Sequence, residues 1–463
     1  MTVEMSYYVM KTLQADTLTP IGIYKALEAE YTMLFESNAK HDENGRYSFV
    51  VCNPIAQVYG DAKQTMYRTF YTNAVQQFDE PVLDVVARMM PKVEGKLPFS
   101  FFGGLVGHFN YETAFHVERI GELLADDRDI PDVHVLFYQT FVVFDHLLEK
   151  VSIVAIDLFN IGISEEMLEL YVREIEEKIM QPVRFEEQPI DELAFEPQIP
   201  KETFIDMVEK AKEHVYCGDV FQIVLSQRFE SPFAGNPLQL YRRLRNANPS
   251  PYMFYMNFAD YTILGTSPES LVKIQDGVVA TNPIAGTKKR GLTPQEDEQI
   301  AASLLADEKE VAEHKMLVDL GRNDIGKVSK IGSVKVTKYM EIEKYKHVMH
   351  IVSEVQGKLA EQMSAIDVIK ASLPAGTVSG APKIRAMQLL NEMEPVRRGV
   401  YAGAIGYISI QGNMDLALAI RTMVVQNGKA YVQAGAGIVY DSIPESEYEE
   451  TLNKARALLE VRL

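Results

Sequence analysis

Residues 404–440 read AIGYISIQGNMDLALAIRTMVVQNGKAYVQAGAGIVY, and this stretch decides the fold. Gly412 and Asn413 separate the apolar run Ala404–Ile410 from Met414–Val425, and Asn427 and Gly428 separate that run from Ala430–Tyr440. Asparagine and glycine accept the positive φ that a tight hairpin demands, so the runs read as consecutive antiparallel strands. Asp276 and Gly277 repeat the signal between Leu271–Gln275 and Val278–Thr281. Outward from these hairpins, Pro294–Asp319, Ala365–Leu373, Pro382–Met393 and Pro444–Val461 carry helical patterns. Upstream, Tyr47–Tyr59 and Val133–Phe144 are rich in the β-branched and aromatic residues of strands. The expected class is α+β, with helices packed on antiparallel sheet. Gly103–His108 also resembles Ala402–Tyr407, too short a match to argue a duplication.

The segment 176–200 holds Glu176, Glu177, Glu186, Glu187, Asp191, Glu192 and Glu196 among Pro182, Pro189, Pro197 and Pro200, and reads as a linker. It divides the chain into residues 1–175 and 201–463. The 463 residues are 47% hydrophobic and 24% charged, the balance of an ordinary globular protein. A net charge of −19 repels polyanions and argues against nucleic acid and anionic membrane as partners. Cys52 and Cys217, the two cysteines, lie in no metal-binding or disulfide spacing. With neither a secretory start nor an 18-residue apolar run, the chain is expected to be cytoplasmic.

Acidic residues crowd two helices. Glu445, Glu447, Glu449 and Glu450 follow Asp441, Ser442 and Pro444, where caps and acids suit the positive end of a helix. Glu450 lies too far into that helix for such a role, and Glu310, Glu313 and His314 form a second group. That second group reads either as a solvated helical face or as half of a hard-cation site, with Glu313 and Glu450 as ligands from different helices. Magnesium needs only one or two carboxylates, completing its shell with water and substrate oxygens. Arg421, read within the continuous strand Met414–Val425, has small and apolar neighbours. It is either a buried ion-pair member or a bidentate clamp for a carboxylate. The run Ala375–Lys383 fails the phosphate-loop pattern, and no GxSxG is present, so nucleotide binding and covalent hydrolysis lack support.

Together these fragments resemble the chorismate-utilising enzymes, most closely the large subunits (component I) of anthranilate synthases. The match covers Pro283–Thr287, Glu313–Asp324, His347–His350, Gly376–Lys383, Arg421, Gln433–Gly437 and Asn453–Ala457, in order. The resemblance implies an α/β sandwich of two largely antiparallel sheets flanked by helices, with residues 201–463 as the chorismate-binding domain. It implies Glu313 and Glu450 as Mg2+ ligands. Arg421 and Tyr401 would bind substrate with Gly286, Thr287 and the amides of Gly435, Ala436 and Gly437. His350 corresponds to the catalytic histidine, and Glu269 to the general acid that protonates the departing ring hydroxyl. Gln222 stands where water-adding relatives carry a lysine base, and a glutamine cannot deprotonate water, which favours ammonia as nucleophile. Ala285 occupies the centre of the PIxGT motif, where aminodeoxychorismate synthases typically carry lysine.

The implied reaction is addition of ammonia to chorismate with loss of the hydroxyl, then elimination of pyruvate to give anthranilate. The chain carries no amidotransferase nucleophile motif, so the resemblance implies a glutamine amidotransferase partner subunit (component II), in a heterotetramer. Leu34–Ser37 resembles one wall of a tryptophan feedback site, with Phe35 replacing leucine, and Asn248–Met253 resembles the other. Ser37, Pro251, Tyr252 and Met253 are the residues carried over for L-tryptophan as inhibitor. Tryptophan itself is absent from the sequence, which would suit an enzyme made when tryptophan is scarce. The rivals are an aminodeoxychorismate synthase, which retains the pyruvyl group, and a silent tryptophan-binding regulator.

Overall fold

The computed structural model describes residues 2–3, 8–37, 45–93, 95–185, 193–344 and 348–459. Two twelve-stranded sheets face one another, with a short parallel pair, Thr2–Val3 with Lys92–Val93, beside them. The pairings within both large sheets are antiparallel, beginning with the hairpins the turn residues announced. Asp276 and Gly277, at φ of 50° and 76°, and Asn427 and Gly428, at 51° and 74°, adopt the left-handed pairs of type I′ turns.

The first sheet runs through Ser270–Gln275, Met414–Leu418, Ala404–Ser409 and Gly104–Phe109. The second runs through Gln222–Pro232, Lys429–Ile438, Thr422–Gln426, Tyr261–Ser267, Tyr252–Asn257 and Met33–Glu36. Each therefore takes strands from both sides of 176–200. That segment is a division of sequence and not of sheet: the helix Glu165–Ile179 runs into it, Glu196–Pro197 joins the second sheet, and 186–192 lie outside the described residues. The two similar segments noted near Gly103 and Ala402 pair directly, Gly107 opposite Gly406.

The largest apolar cluster draws on both sheets, including Phe101, Phe137, Phe254, Ile263, Val272 and Leu416, all nearly inaccessible. Helices 201–216, 383–393 and 444–459 cover Gln222–Pro232 through a smaller cluster around Phe204, Leu389 and Ala436. The carboxyl-terminal helix is described to Leu459, so its expected end at Val461 lies outside the described residues. No described helix is long and apolar enough to cross a membrane.

Two expectations are corrected. Pro294–Asp319 is not one helix but parts of two, Pro294–Leu305 and Glu308–Val328, because the Asp307 side chain accepts from the amides of Lys309 and Glu310 and starts the second. Met414–Val425 is not one strand. Met414–Leu418 belongs to the first sheet and Thr422–Gln426 to the second, and the chain crosses between them at Ala419–Arg421. Arg421 makes this turn with φ of +48°, a conformation that no glycine or asparagine marks in the sequence.

Candidate active site

A second crossing lies beside the first. Tyr261–Ser267 ends in the second sheet, Ser270–Gln275 begins in the first, and Pro268 and Glu269 span the gap. Backbone bonds join the crossings: Leu418 N–H donates to the Glu269 carbonyl at 3.0 Å, and Thr266 N–H to the Arg421 carbonyl at 3.1 Å. The Ser267 hydroxyl donates to the Leu418 carbonyl at 2.7 Å.

The Glu269 carboxyl accepts from the Thr377 hydroxyl at 2.8 Å. Burial pushes it up to about 7, against the pull of that hydrogen bond, so a large fraction is protonated at neutral pH. The Arg421 guanidinium makes no hydrogen bond or ion pair among the described residues, so the ion-pair reading finds no partner there. Its side chain reaches solvent, yet desolvation in the cleft draws the guanidinium below its usual range.

The charge of Arg421 acts on His350, whose ring is lowered first by burial and then by that cation. His350 Nδ1 lies 3.1 Å from the Gly286 carbonyl and 3.0 Å from the Thr287 hydroxyl. A carbonyl only accepts, so the proton sits on Nδ1, and Nε2 is the basic nitrogen.

The strand Lys429–Ile438 carries Gly435, Ala436 and Gly437. Its ladder to Thr422–Gln426 ends at Val432, while the other edge stays paired with Gln222–Pro232 through Ile438. Beyond Val432 one edge of the backbone around Gly435, Ala436 and Gly437 thus has no strand partner among the described residues. A Cβ on Gly435 would stand 2.7 Å from the Tyr401 hydroxyl, and one on Gly437 2.7 Å from Gln222 Nε2. Tyr401 is buried, its ring under the Arg398 guanidinium at 5.7 Å, and burial raises its phenol to about 12.

Carboxylates approach this strand from two helices. Gln222 Nε2 donates to Glu313 Oε1 at 3.1 Å. Glu310, one turn earlier, is raised by burial and then by the charge of Glu313. Glu450 is half exposed and pairs with Lys454 at 2.6 Å, and Lys454 also donates to the Gly435 carbonyl at 2.9 Å. Glu447 is raised by burial and feels Glu450, and it also feels Lys309 from the start of the opposite helix. His314 is not on a solvated face: it is buried, with Nε2 2.6 Å from the Ser353 hydroxyl. No group of three or more His, Cys, Asp or Glu among the described residues encloses a metal by itself. The chemistry of the donors nonetheless fits magnesium, which takes few protein ligands: each is a hard carboxylate with a second carboxylate nearby in its own helix, a repulsion that a cation would relieve.

Sequence reasoning missed Thr377, Lys454 and Arg398. The last is 1% exposed, forks onto Glu394, and donates to the Val378 and Val224 carbonyls at 2.7 Å each, tying Thr377's turn to Gln222's strand. Thr377 has a partner 108 residues away, which no local pattern marks, while Arg398 and Lys454 lie four residues from Glu394 and Glu450 in pairings that depend on rotamer choice.

Away from the cleft, a cavity of about 370 Å³ is lined by Ser37, Tyr252 and Met253 with Phe49, Phe99 and Tyr407. Pro251 joins this group through its carbonyl, which accepts from Ser37 Oγ at 3.0 Å. Tyr252 pairs with Ser267, two residues before Glu269, and its hydroxyl donates to Asp415 at 3.0 Å.

The family profile described as chorismate binding enzyme matches residues 30–460. Anthranilate synthase component 1 of Aquifex aeolicus is 44% identical, over 96% of this chain and 92% of that protein. The protein of the same description from Lactococcus lactis is 42% identical over 98% and 99%. The crystal structure of anthranilate synthase component I from Streptococcus pneumoniae superposes with a TM-score of 0.84 at 43% identity, covering 97% of this chain and 99% of that one. The menaquinone-specific isochorismate synthase of Escherichia coli, 18% identical with a TM-score of 0.72 over 99% and 96%, shares the fold.

Proposed function

Because the chain belongs to the chorismate-binding enzymes, within the group of anthranilate synthase component 1, we propose that it converts chorismate and ammonia to anthranilate and pyruvate. The observation that carries the reading is the pairing of the two crossings, which holds a partly protonated carboxyl, Glu269, beside a cation with no ion-pair partner among the described residues, Arg421. An anionic ring that loses a hydroxyl requires that combination.

Arg421 clamps a substrate carboxylate, with the Tyr401 hydroxyl and the amides around Gly435–Gly437 as further donors. Glu269 donates its proton as the ring C–O bond breaks, so hydroxide leaves as water. Gln222 has no basic lone pair to activate water, and it holds Glu313 in place. Neutral His350, basic at Nε2, accepts the ring proton whose loss restores aromaticity as the pyruvyl group departs. Glu313 and Glu450 would hold Mg2+, which supplies Lewis-acid neutralisation of a substrate carboxylate when bound.

Ammonia would come from glutamine through an amidotransferase partner in a heterotetramer, and the reaction would take place in the cytoplasm. The 370 Å³ cavity would take L-tryptophan as feedback inhibitor, since its aromatic walls suit an indole and Tyr252 is strand-paired to the segment carrying Glu269.

Anthranilate fluorescence tests the reading, with chorismate, magnesium and either an ammonium salt or glutamine. Product with ammonium alone is expected from the isolated chain. Chorismate consumed without anthranilate would instead indicate the aminodeoxychorismate branch, and no consumption would indicate a silent regulator.

A further inference from the structure

A second cavity, of about 40 Å³, lies against Glu269. Its walls include Glu269, Thr377, Asp324, Ser372, Leu317 and Leu320. Two of these residues carry buried polar atoms without a hydrogen-bond partner among the described residues, Asp324 Oδ1 and Ser372 Oγ. The other Asp324 oxygen accepts from Lys383 Nζ at 2.6 Å, and the same ammonium reaches the Ser372 carbonyl at 3.3 Å. A buried oxygen left without a donor costs about 1–3 kcal/mol, which a native fold normally avoids by placing water there. The space exceeds the roughly 10–15 Å³ that one water needs. Lys327 Nζ, half exposed, stands 3.9 Å from Asp324 Oδ1, so that oxygen is close to solvent.

We propose that this cavity is a water-binding site whose hydrogen-bonded waters connect Glu269 to Asp324, and that Asp324 and Ser372 are positioning residues for the proton supply of the general acid. The proposal rests on the reading of Glu269 as that acid. When Glu269 gives its proton to the departing hydroxyl, the C–O bond breaks and water leaves. The new carboxylate takes a proton from the adjoining cavity water, that water takes one from the next, and bulk solvent replaces the last at the Asp324 end. No electrons are exchanged, and the net transfer is one proton from solvent to Glu269. Glu269 lines this cavity, so a bound ring at the active site would leave it a separate route to solvent. The leucines keep the passage narrow, so a proton moves through it and the substrate does not.

Two measurements test this. A crystal structure of the whole chain that orders solvent is expected to show waters bridging Glu269 and Asp324 Oδ1 by way of Ser372 Oγ. A dry cavity, or waters that reach one carboxylate and not the other, overturns the proposal. Kinetically, Ser372→Ala removes a lining hydroxyl and leaves the carbonyl that Lys383 uses. It is expected to lower kcat severalfold at unchanged KM and to raise the solvent deuterium isotope effect on kcat. An unchanged rate and isotope effect overturn the relay. Asp324→Asn strands the buried Lys383 charge, so it is read only where circular dichroism shows a native fold. Glu269→Gln separates the two readings. If it retains turnover, the acid assignment fails and the relay with it; if it is dead while Ser372→Ala is normal, the relay alone fails.

Discussion

Glu269 and Arg421 each occupy a point where the chain leaves one sheet for the other, and the two crossings are hydrogen-bonded to each other through Leu418 and Thr266. A crossing residue lies at the seam of the sandwich with neither sheet claiming its side chain. The seam is thus where a carboxyl can be partly buried, and a guanidinium left without a counterion, while the ladders on both sides stay intact.

Arg421 has no partner to lose among the described residues and holds a left-handed turn. Arg421→Gly is therefore expected to abolish turnover while leaving stability unchanged or raising it by up to about 1 kcal/mol, since glycine adopts positive φ without strain. Arg421→Lys should keep the charge, lose the fork and raise KM for chorismate. Chemical denaturation alongside steady-state kinetics checks both, and a large loss of stability in the glycine variant would assign Arg421 a structural role.

Glu269 works as an acid only while protonated, so kcat/KM is expected to fall as pH rises through about 7. Glu269→Gln should lose about 10²–10⁴-fold in kcat. The stability consequence has a definite sign. The folded carboxyl binds its proton more tightly than the unfolded one, so stability declines as pH rises from the unfolded value toward about 7. Glu269→Gln escapes this decline, and its advantage over the parent should be greatest above pH 7 and disappear in acid. Melting curves across pH measure it, and a gap that widens in acid would contradict the raised value.

The Thr377 hydroxyl favours the charged form of Glu269. Thr377→Val is expected to move the alkaline limb of the pH profile upward, and Thr377→Ser to restore it. A limb that stays in place would separate the hydroxyl from the titration.

Glu313→Gln and Glu450→Gln should each weaken binding of Mn2+, used as a paramagnetic stand-in for magnesium, by about tenfold or more. Lys454→Met, which removes the ammonium from Glu450, should tighten it. Electron paramagnetic resonance on the substrate-free chain reads this without turnover. Unchanged affinity in both glutamine variants would remove these carboxylates from the metal site.

The chain contains no tryptophan, so added L-tryptophan can be followed by its own emission. A saturable blue shift is expected with the parent chain and not with Ser37→Phe, which fills the 370 Å³ cavity. An equal shift in both would place the ligand elsewhere.

The hairpins at Asp276, Gly412 and Asn427 were legible because turn residues act locally, and so were the acidic helices. The crossing at Arg421 was not, because apolar runs, Leu416–Ile420 and Met423–Val425, flank it on both sides and side-chain alternation carries no mark of a change of sheet. The break at Asp307 was hidden for a related reason, since helix-forming residues flank it on both sides. Resemblance pointed to Glu269, His350, Arg421 and Glu450. Their supports, Thr377 for Glu269 and Lys454 for Glu450, depend on tertiary contacts or on rotamer choice, which one sequence does not display.

Gly104–Phe109, buried along its whole length, lies beside Ala404–Ser409. On the ribosome the earlier strand must wait for the later one. At about 5–20 residues per second, the roughly 300 residues between them take about 15–60 s to emerge. Throughout that interval the nascent amino-terminal half presents an unpaired apolar edge, open to strand addition by other nascent chains. Synthesis of this protein should therefore lean on chaperones that shield such edges, and its yield should drop sharply when translation is slowed ahead of residue 404.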